Sequence, residues 1–126
     1  MSNDKYIEIV KTGWADLARG DLDALVAAYA DDMIFVIPGQ NDVLHGKAAF
    51  RSALENLGAA LPPGFEITGL RYFSGEDEGE LANIVEWKST KVPQGSQSAI
   101  GWRFDSDGRI TEERWFVDTE QWKAAF

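Results

Sequence analysis

The sequence predicts an α+β fold, with helices covering one face of a curved, mostly antiparallel sheet. Three observations predict it. Residues 81–117 alternate apolar and polar side chains through three long runs joined by turns, the signature of strands with one covered face. Residues 1–60 instead carry apolar side chains at helical spacing. The helical part precedes the strand-rich part rather than alternating with it, which separates α+β from α/β.

Within 81–117, Asn83, Val85, Trp87 and Ser89 share one side of the first run, and Ser98, Ile100, Trp102 and Phe104 share one side of the second. Glu86, Lys88 and Arg103 take the opposite side. The third run is placed by its turn, Asp105-Ser106-Asp107-Gly108, which suits a tight hairpin. Setting Phe104 opposite Arg109 pairs Trp102 with Thr111, Ile100 with Glu113 and Ser98 with Trp115. Thr111, Glu113, Trp115 and Val117 then join the aromatic face. A one-residue slip would bring Glu112 and Arg114 there instead. The first register carries fewer charges onto a covered face and is the one expected.

The remaining elements follow in order. Asn3 or Ser2 caps a first helix with Tyr6, Ile7, Val10, Trp14 and Leu17 on one stripe, and Gly20 ends it. Asp21 caps a shorter helix whose stripe is Leu22, Leu25, Val26 and Tyr29. Residues 33–37 form a strand stopped by Pro38-Gly39, and a loop spans 40–42. A third helix runs over 47–57 with Phe50, Ala53, Leu54 and Leu57 inward and Gly58 after it. Leu61-Pro62-Pro63-Gly64 is a rigid connector too short to separate domains, so residues 1–126 read as a single domain. Residues 65–73 form a strand, and Glu76-Asp77-Glu78-Gly79-Glu80 sits at a hairpin tip. Asp118 and Gln121 form a capping box for a short terminal helix carrying Trp122 and Phe126 on one side. Three helices over a long bent sheet enclose a cone whose mouth is a natural ligand cavity.

Composition narrows the function. A net charge of −9 opposes binding to phosphate backbones, so nucleic acid is not an expected partner. No apolar run approaches the ~20 residues of a membrane helix. The start of the chain lacks a basic segment followed by an apolar one, and there is no cysteine, so a cytoplasmic protein without disulfides is expected. The single histidine argues against zinc, the acidic run lacks the offsets of a calcium loop, and no dinucleotide or phosphate loop is present. No metal or cofactor is expected.

The candidate site residues come from the aromatic face. Glu113 is its one acidic side chain; apolar surroundings raise a carboxyl pKa toward the working pH of a general acid or base. The alternative places Glu113 at the rim or beside an arginine as a structural group. His45 is either a second proton-transfer group at the mouth or an anchor before Gly46 for the third helix. Trp14, Trp87, Trp102 and Trp115, with Ile100 among them, either stack on a flat ligand or fill the cone. Asn83 either orients a ligand or makes a structural hydrogen bond. Asp31 and Asp32 sit at a helix-to-strand turn, where aspartate bonds locally, and read as structural.

This element order, with GDLDALVAAYADDMIFVIPG, HGKAAFRSAL and DGRITEERWFVDTEQW, resembles the NTF2-like superfamily, most closely its SnoaL-like and ketosteroid-isomerase-like branch. The resemblance spans nearly the whole chain. It implies the cone, a hydrophobic and cyclic ligand within it, a homodimer, and cofactor-independent isomerisation, cyclisation or hydration. It equally admits a non-catalytic binding or dimerisation module, since fold does not choose function. The steroid isomerase machinery is not matched. Ile37 stands before Pro38 where that branch has its catalytic aspartate, Gly13 and Trp14 fall where its tyrosine lies, and Ile100 replaces its second aspartate. Arg103-Phe104-Asp105 matches the letters of the epoxide hydrolase motif, but Arg103 points away from the aromatic face and Asp105 begins a turn. A dehydratase site needs more than one histidine. A cavity above ~300 Å³ distinguishes a ligand site from a filled scaffold.

Overall fold

The computed structural model describes residues 3–36, 43–57 and 61–126. The expectations placed on Ser2, on residues 37–42 and on Gly58 lie outside the described residues. The elements are α1 (Asp4–Arg19), α2 (Leu22–Ala27), β1 (Tyr29–Val36), β2 (Val43–His45), α3 (Lys47–Glu55), β3 (Glu66–Ser74), β4 (Glu80–Lys88), β5 (Ser96–Phe104), β6 (Ile110–Val117) and α4 (Thr119–Ala124). The strands form one sheet in the order β2-β1-β6-β5-β4-β3. Only β1 against β6 is parallel among these pairs.

The inner face is built as the alternation dictates. Asn83, Val85 and Trp87 of β4 and Ser98, Ile100 and Trp102 of β5 are all buried. Tyr6 and Val10 of α1, Leu25 and Val26 of α2 and Phe50 of α3 complete the main core against them. A second cluster joins Trp87, Val92, Trp122 and Ala125. On the outer face, ion pairs link neighbouring strands: Lys88 with Glu66 at 3.6 Å, Arg71 with Glu86 at 3.6 Å and Arg103 with Glu80 at 3.0 Å.

The strands depart from the sequence reading at three places. The β5–β6 register is displaced by two residues: Ser98 pairs with Val117, Ile100 with Trp115 and Trp102 with Glu113. The ladder shifts again between Arg103 and Phe104, so that Phe104 pairs with Ile110 and Thr111 becomes the extra residue of a bulge. A two-residue displacement preserves the side a residue faces, so Glu113 and Trp115 keep the inner face. The bulge returns Ile110 to the core and turns Thr111 away, its Oγ1 donating to the Arg103 carbonyl at 3.2 Å. Second, Tyr29 does not extend the α2 stripe but opens β1. Third, Val43–His45, which the sequence left without an element between the 40–42 loop and the third helix, is a short strand paired with β1, His45 opposite Ile34. Three residues are too few to show alternation.

Asn3 sits at the start of α1, but its side chain does not cap that helix. It crosses to the β3–β4 turn instead. Nδ2 donates to Ser74 Oγ at 2.9 Å and to the Glu80 carbonyl at 2.9 Å, and Oδ1 accepts from the Gly79 N–H at 2.9 Å. Asp21 and Asp118 do cap as expected, accepting from the N–H groups of Ala24 and Gln121. Gln121 does not complete the box; its amide oxygen accepts from Ser96.

Gly20 ends α1 with φ of 73°, the left-handed region that side chains disfavour. A Cβ there would meet no atom within 4 Å, so the strain of a substitution is confined to the backbone. Gly20→Val is expected to destabilise the protein by about 1–2 kcal/mol in chemical denaturation. An unchanged midpoint would show that this turn tolerates a β-branched residue.

Candidate functional site

The helix stripes and the inner sheet face do not close on one another completely. Between them lies a cavity of about 600 Å³. One wall is α1, through Ile9, Val10, Gly13, Trp14 and Leu17, and another is α3, through Phe50, Ala53 and Leu54. The sheet supplies Tyr29, Phe35, Trp102, Ile110, Glu113 and Trp115, and the C-terminal segment supplies Trp122, Lys123 and Phe126. Nearly every lining group is apolar. Among the described lining residues, Glu113 and Lys123 alone are charged.

Glu113 owes its place to the parallel pairing of β1 with β6, which sets it beside Phe35 and brings Tyr29 within reach. The Tyr29 hydroxyl donates to Glu113 Oε1 at 2.5 Å, and Trp115 Nε1 donates to Oε2 at 2.8 Å. The residue is 6% exposed. Burial pushes its carboxyl pKa up to about 7, and the two donated hydrogen bonds, which favour the carboxylate, offset only part of that rise. Burial, followed by the neighbouring Glu113 charge, pushes the Tyr29 hydroxyl well above its ordinary value, so it remains a donor at any working pH. The arrangement therefore holds one carboxyl, oriented at both oxygens, that exchanges a proton near neutrality inside an apolar chamber.

Trp14, Trp102 and Trp115 line the cavity as well. Trp14 and Trp115 meet edge to face with centroids 6.4 Å apart. The Trp14 indole N–H is buried with no hydrogen-bond partner among the described residues. The other sequence candidates lie elsewhere. Asn83 is fully buried behind the lining, where its Oδ1 accepts from Trp102 Nε1 at 2.8 Å and so orients that indole. Ile100 is fully buried in the main core, and Trp87 belongs to the second cluster, its Nε1 donating to Ser98 Oγ at 3.1 Å. None of these three lines the cavity; they pack the sheet beneath and beside it. His45 is exposed on the edge strand β2 and is likewise not among the lining residues. The carry-over positions Ile37 and Pro38 lie outside the described residues. Asp31 and Asp32 are exposed.

Sequence reasoning missed Tyr29 and Lys123. Tyr29 follows Leu25 by four residues, so it fits a helical stripe as well as a strand. Lys123 reads as an ordinary solvent-facing cation of a short helix. Among the described residues no group of three or more His, Asp or Glu is placed to hold a metal ion. No helix among them is long and apolar enough to cross a membrane.

The geometry defines a class: an α+β cone with helices over a curved sheet and a ligand-sized cavity between them. The sequence profile of the SnoaL-like domain matches residues 10–113, and the chain belongs to that family. Solved structures agree on the fold. A proposed polyketide cyclase from Xanthomonas campestris pv. campestris superposes with a TM-score of 0.78 at 16% identity, covering 99% of this chain and 98% of that one. A steroid delta-isomerase from Pseudomonas aeruginosa gives 0.74 at 18% identity, covering 95% and 85%. A Mycobacterium tuberculosis protein in complex with estradiol-17beta-hemisuccinate gives 0.73 at 18% identity, covering 95% and 97%. No curated protein matches the sequence.

The raised carboxyl has a stability consequence with a definite sign. The free carboxyl titrates near 4.5 and the folded one near about 7, so between those values the folded state binds more protons than the unfolded state. Stability therefore falls as pH rises through that window. The penalty is absent well below 4.5 and complete above about 7, where it is on the order of 3 kcal/mol. Glu113→Gln removes the titrating group. Urea denaturation at pH 5 and pH 8 is expected to show the stability difference between wild type and variant changing by on the order of 2 kcal/mol, in the direction of a relatively weaker wild type at pH 8. A constant difference would mean that the carboxyl titrates at its ordinary value.

Proposed function

We propose that this protein binds a hydrophobic, cyclic small molecule in the cone and moves a proton on it through Glu113, without a cofactor. The observation that carries this reading is a cavity of about 600 Å³ with a mostly apolar lining that, among the described residues, holds one carboxyl, Glu113, with a pKa of about 7. The volume lies within the range of small-molecule sites rather than of packing defects. As carboxylate, Glu113 takes a proton from carbon next to a carbonyl or from a hydroxyl; as acid it returns the proton elsewhere, which is the chemistry of isomerisation, cyclisation and hydration. The steroid delta-isomerase and the proposed polyketide cyclase among the structural neighbours support a ligand of this class. A cysteine-free chain fits work in the cytoplasm.

Proton exchange on 2-decalone, followed by deuterium incorporation in D₂O, tests the chemistry without knowledge of the natural ligand. The wild type is expected to accelerate exchange with a rate that climbs as pH rises through about 7 and then levels, because the carboxylate is the active form. Glu113→Gln is expected to lower it by about a hundredfold or more. Equal accelerated rates in the two proteins would mean that Glu113 is not the base, and a wild-type rate no faster than buffer would leave a binding module without turnover. That second reading draws on one observation: both Glu113 oxygens already accept hydrogen bonds from the protein itself.

The outer face of the sheet supports a further reading, that two copies pair through it. Phe116 is 56% exposed there, amid residues of both charges including Arg114 and Glu112, and a two-fold contact sets such a surface against itself. Sedimentation at micromolar concentration is expected to show a dimer, and Phe116→Glu to shift it to monomer. A wild type that sediments only as monomer would end this reading.

A further inference from the structure

The cavity has a charge at each end of its exposure range. Glu113 is buried among the apolar walls, whereas Lys123 is exposed on α4 and lines the cavity beside Trp122 and Phe126. Lys123 is also set apart from most cations of the chain. Lys11, Arg19, Lys47, Arg51, Arg71, Lys88, Arg103 and Arg114 all form ion pairs, Lys5 lies over the Tyr6 ring, and Lys91 donates to the Phe126 carbonyl. Among the described residues Lys123 has no ion-pair or hydrogen-bond partner. In a chain carrying 21 acidic side chains against 12 basic ones, an unpaired cation at the mouth of an apolar cavity leaves an anion subsite open.

From this juxtaposition we infer that the ligand is a hydrophobic anion, with its apolar body in the cone and one terminal carboxylate, sulfate or sulfonate held at the mouth by Lys123. The inference rests on the cavity being a ligand site. Three physical arguments give the orientation. A charged group taken into the apolar interior would lose its hydration without compensation, so it stays at the wet rim. An ionised Glu113 repels an anion at the buried end, which directs the uncharged reacting end inward. The net charge of −9 repels anions at long range, so retention of one depends on a local cation. The lysine stem can lie along the apolar rim with its ammonium in water, as such side chains do at the edges of apolar surfaces. The plainer role for Lys123 is support of the α4 C-terminus, where a cation offsets the helix dipole; that role makes no distinction between charged and neutral ligands.

Two dyes separate these roles. 8-Anilinonaphthalene-1-sulfonate and N-phenyl-1-naphthylamine share one aromatic body and differ in the sulfonate. Each is titrated by fluorescence into wild type, Lys123→Gln, Lys123→Arg and Ala53→Trp, the last designed to fill the cavity. Lys123→Gln is expected to weaken the sulfonate dye about fivefold and to leave the neutral dye within twofold, the size of a partly exposed ion pair. Lys123→Arg is expected to keep the sulfonate affinity, and added salt to erode it. Equal losses for both dyes in Lys123→Gln, or no loss for either, would overturn the anion subsite while leaving the cavity reading in place. If Ala53→Trp fails to weaken the neutral dye, the cavity is not the binding site, and both readings fall together.

Discussion

The parallel pairing of β1 with β6 is the constraint on which the site depends. It joins the first strand of the chain to the last, so the helices attached to β1 lie over the aromatic face made by β4, β5 and β6. Without that pairing the Trp102 and Trp115 side would face water. The same pairing carries Tyr29 to Glu113 across 84 positions of sequence. A carboxyl in such apolar surroundings needs donors to hold it in one place, and these come from β1 and from its own strand. The resulting balance between burial and hydrogen bonding leaves the carboxyl able to titrate near neutrality instead of being locked in one state.

Much of the architecture was legible because the sheet has one dry face. Alternation over 81–117 assigns sides to residues whatever the register, and this is why Glu113 and Trp115 fall on the inner face although the pairing differs by two. The turn after Phe104 was legible as a turn, but the bulge beside it was not. Thr111 and Ile110 are both good strand formers, so neither announces which of them is extra. The strand β2 is three residues long and offers no pattern to read. Asn3 was legible as a residue that begins a helix, while its bonds to Ser74, Gly79 and Glu80 connect segments more than seventy residues apart, a distance no local rule spans.

The site was partly legible for the same reason. An acid on an aromatic face is conspicuous in sequence, and so are the tryptophans beside it. What sequence does not convey is depth along the cone. Trp87 and Trp102 sit on the same side of adjacent strands, yet one packs into the Trp122 cluster and the other lines the cavity. Asn83 shares that side too, and is spent on orienting Trp102. His45 is conspicuous as the single histidine, and the edge strand that holds it leaves it exposed.

The bonds of Asn3 also bear on the mechanics of the chamber. They clamp the start of α1 to the β3–β4 turn, while the left-handed Gly20 and the adjoining α2 hold its other end. In the middle, the absence of a side chain at Gly13 lets α1 approach Leu25 of α2 closely; a Cβ there would come within 3.3 Å of it. The α1 wall is thus held at its two ends. The opposite side is built from the nine-residue α3 and the six-residue α4. The sixteen residues of α1, tied down at both ends, face two much shorter helices across the cavity, so the fold anchors its two flanks unequally.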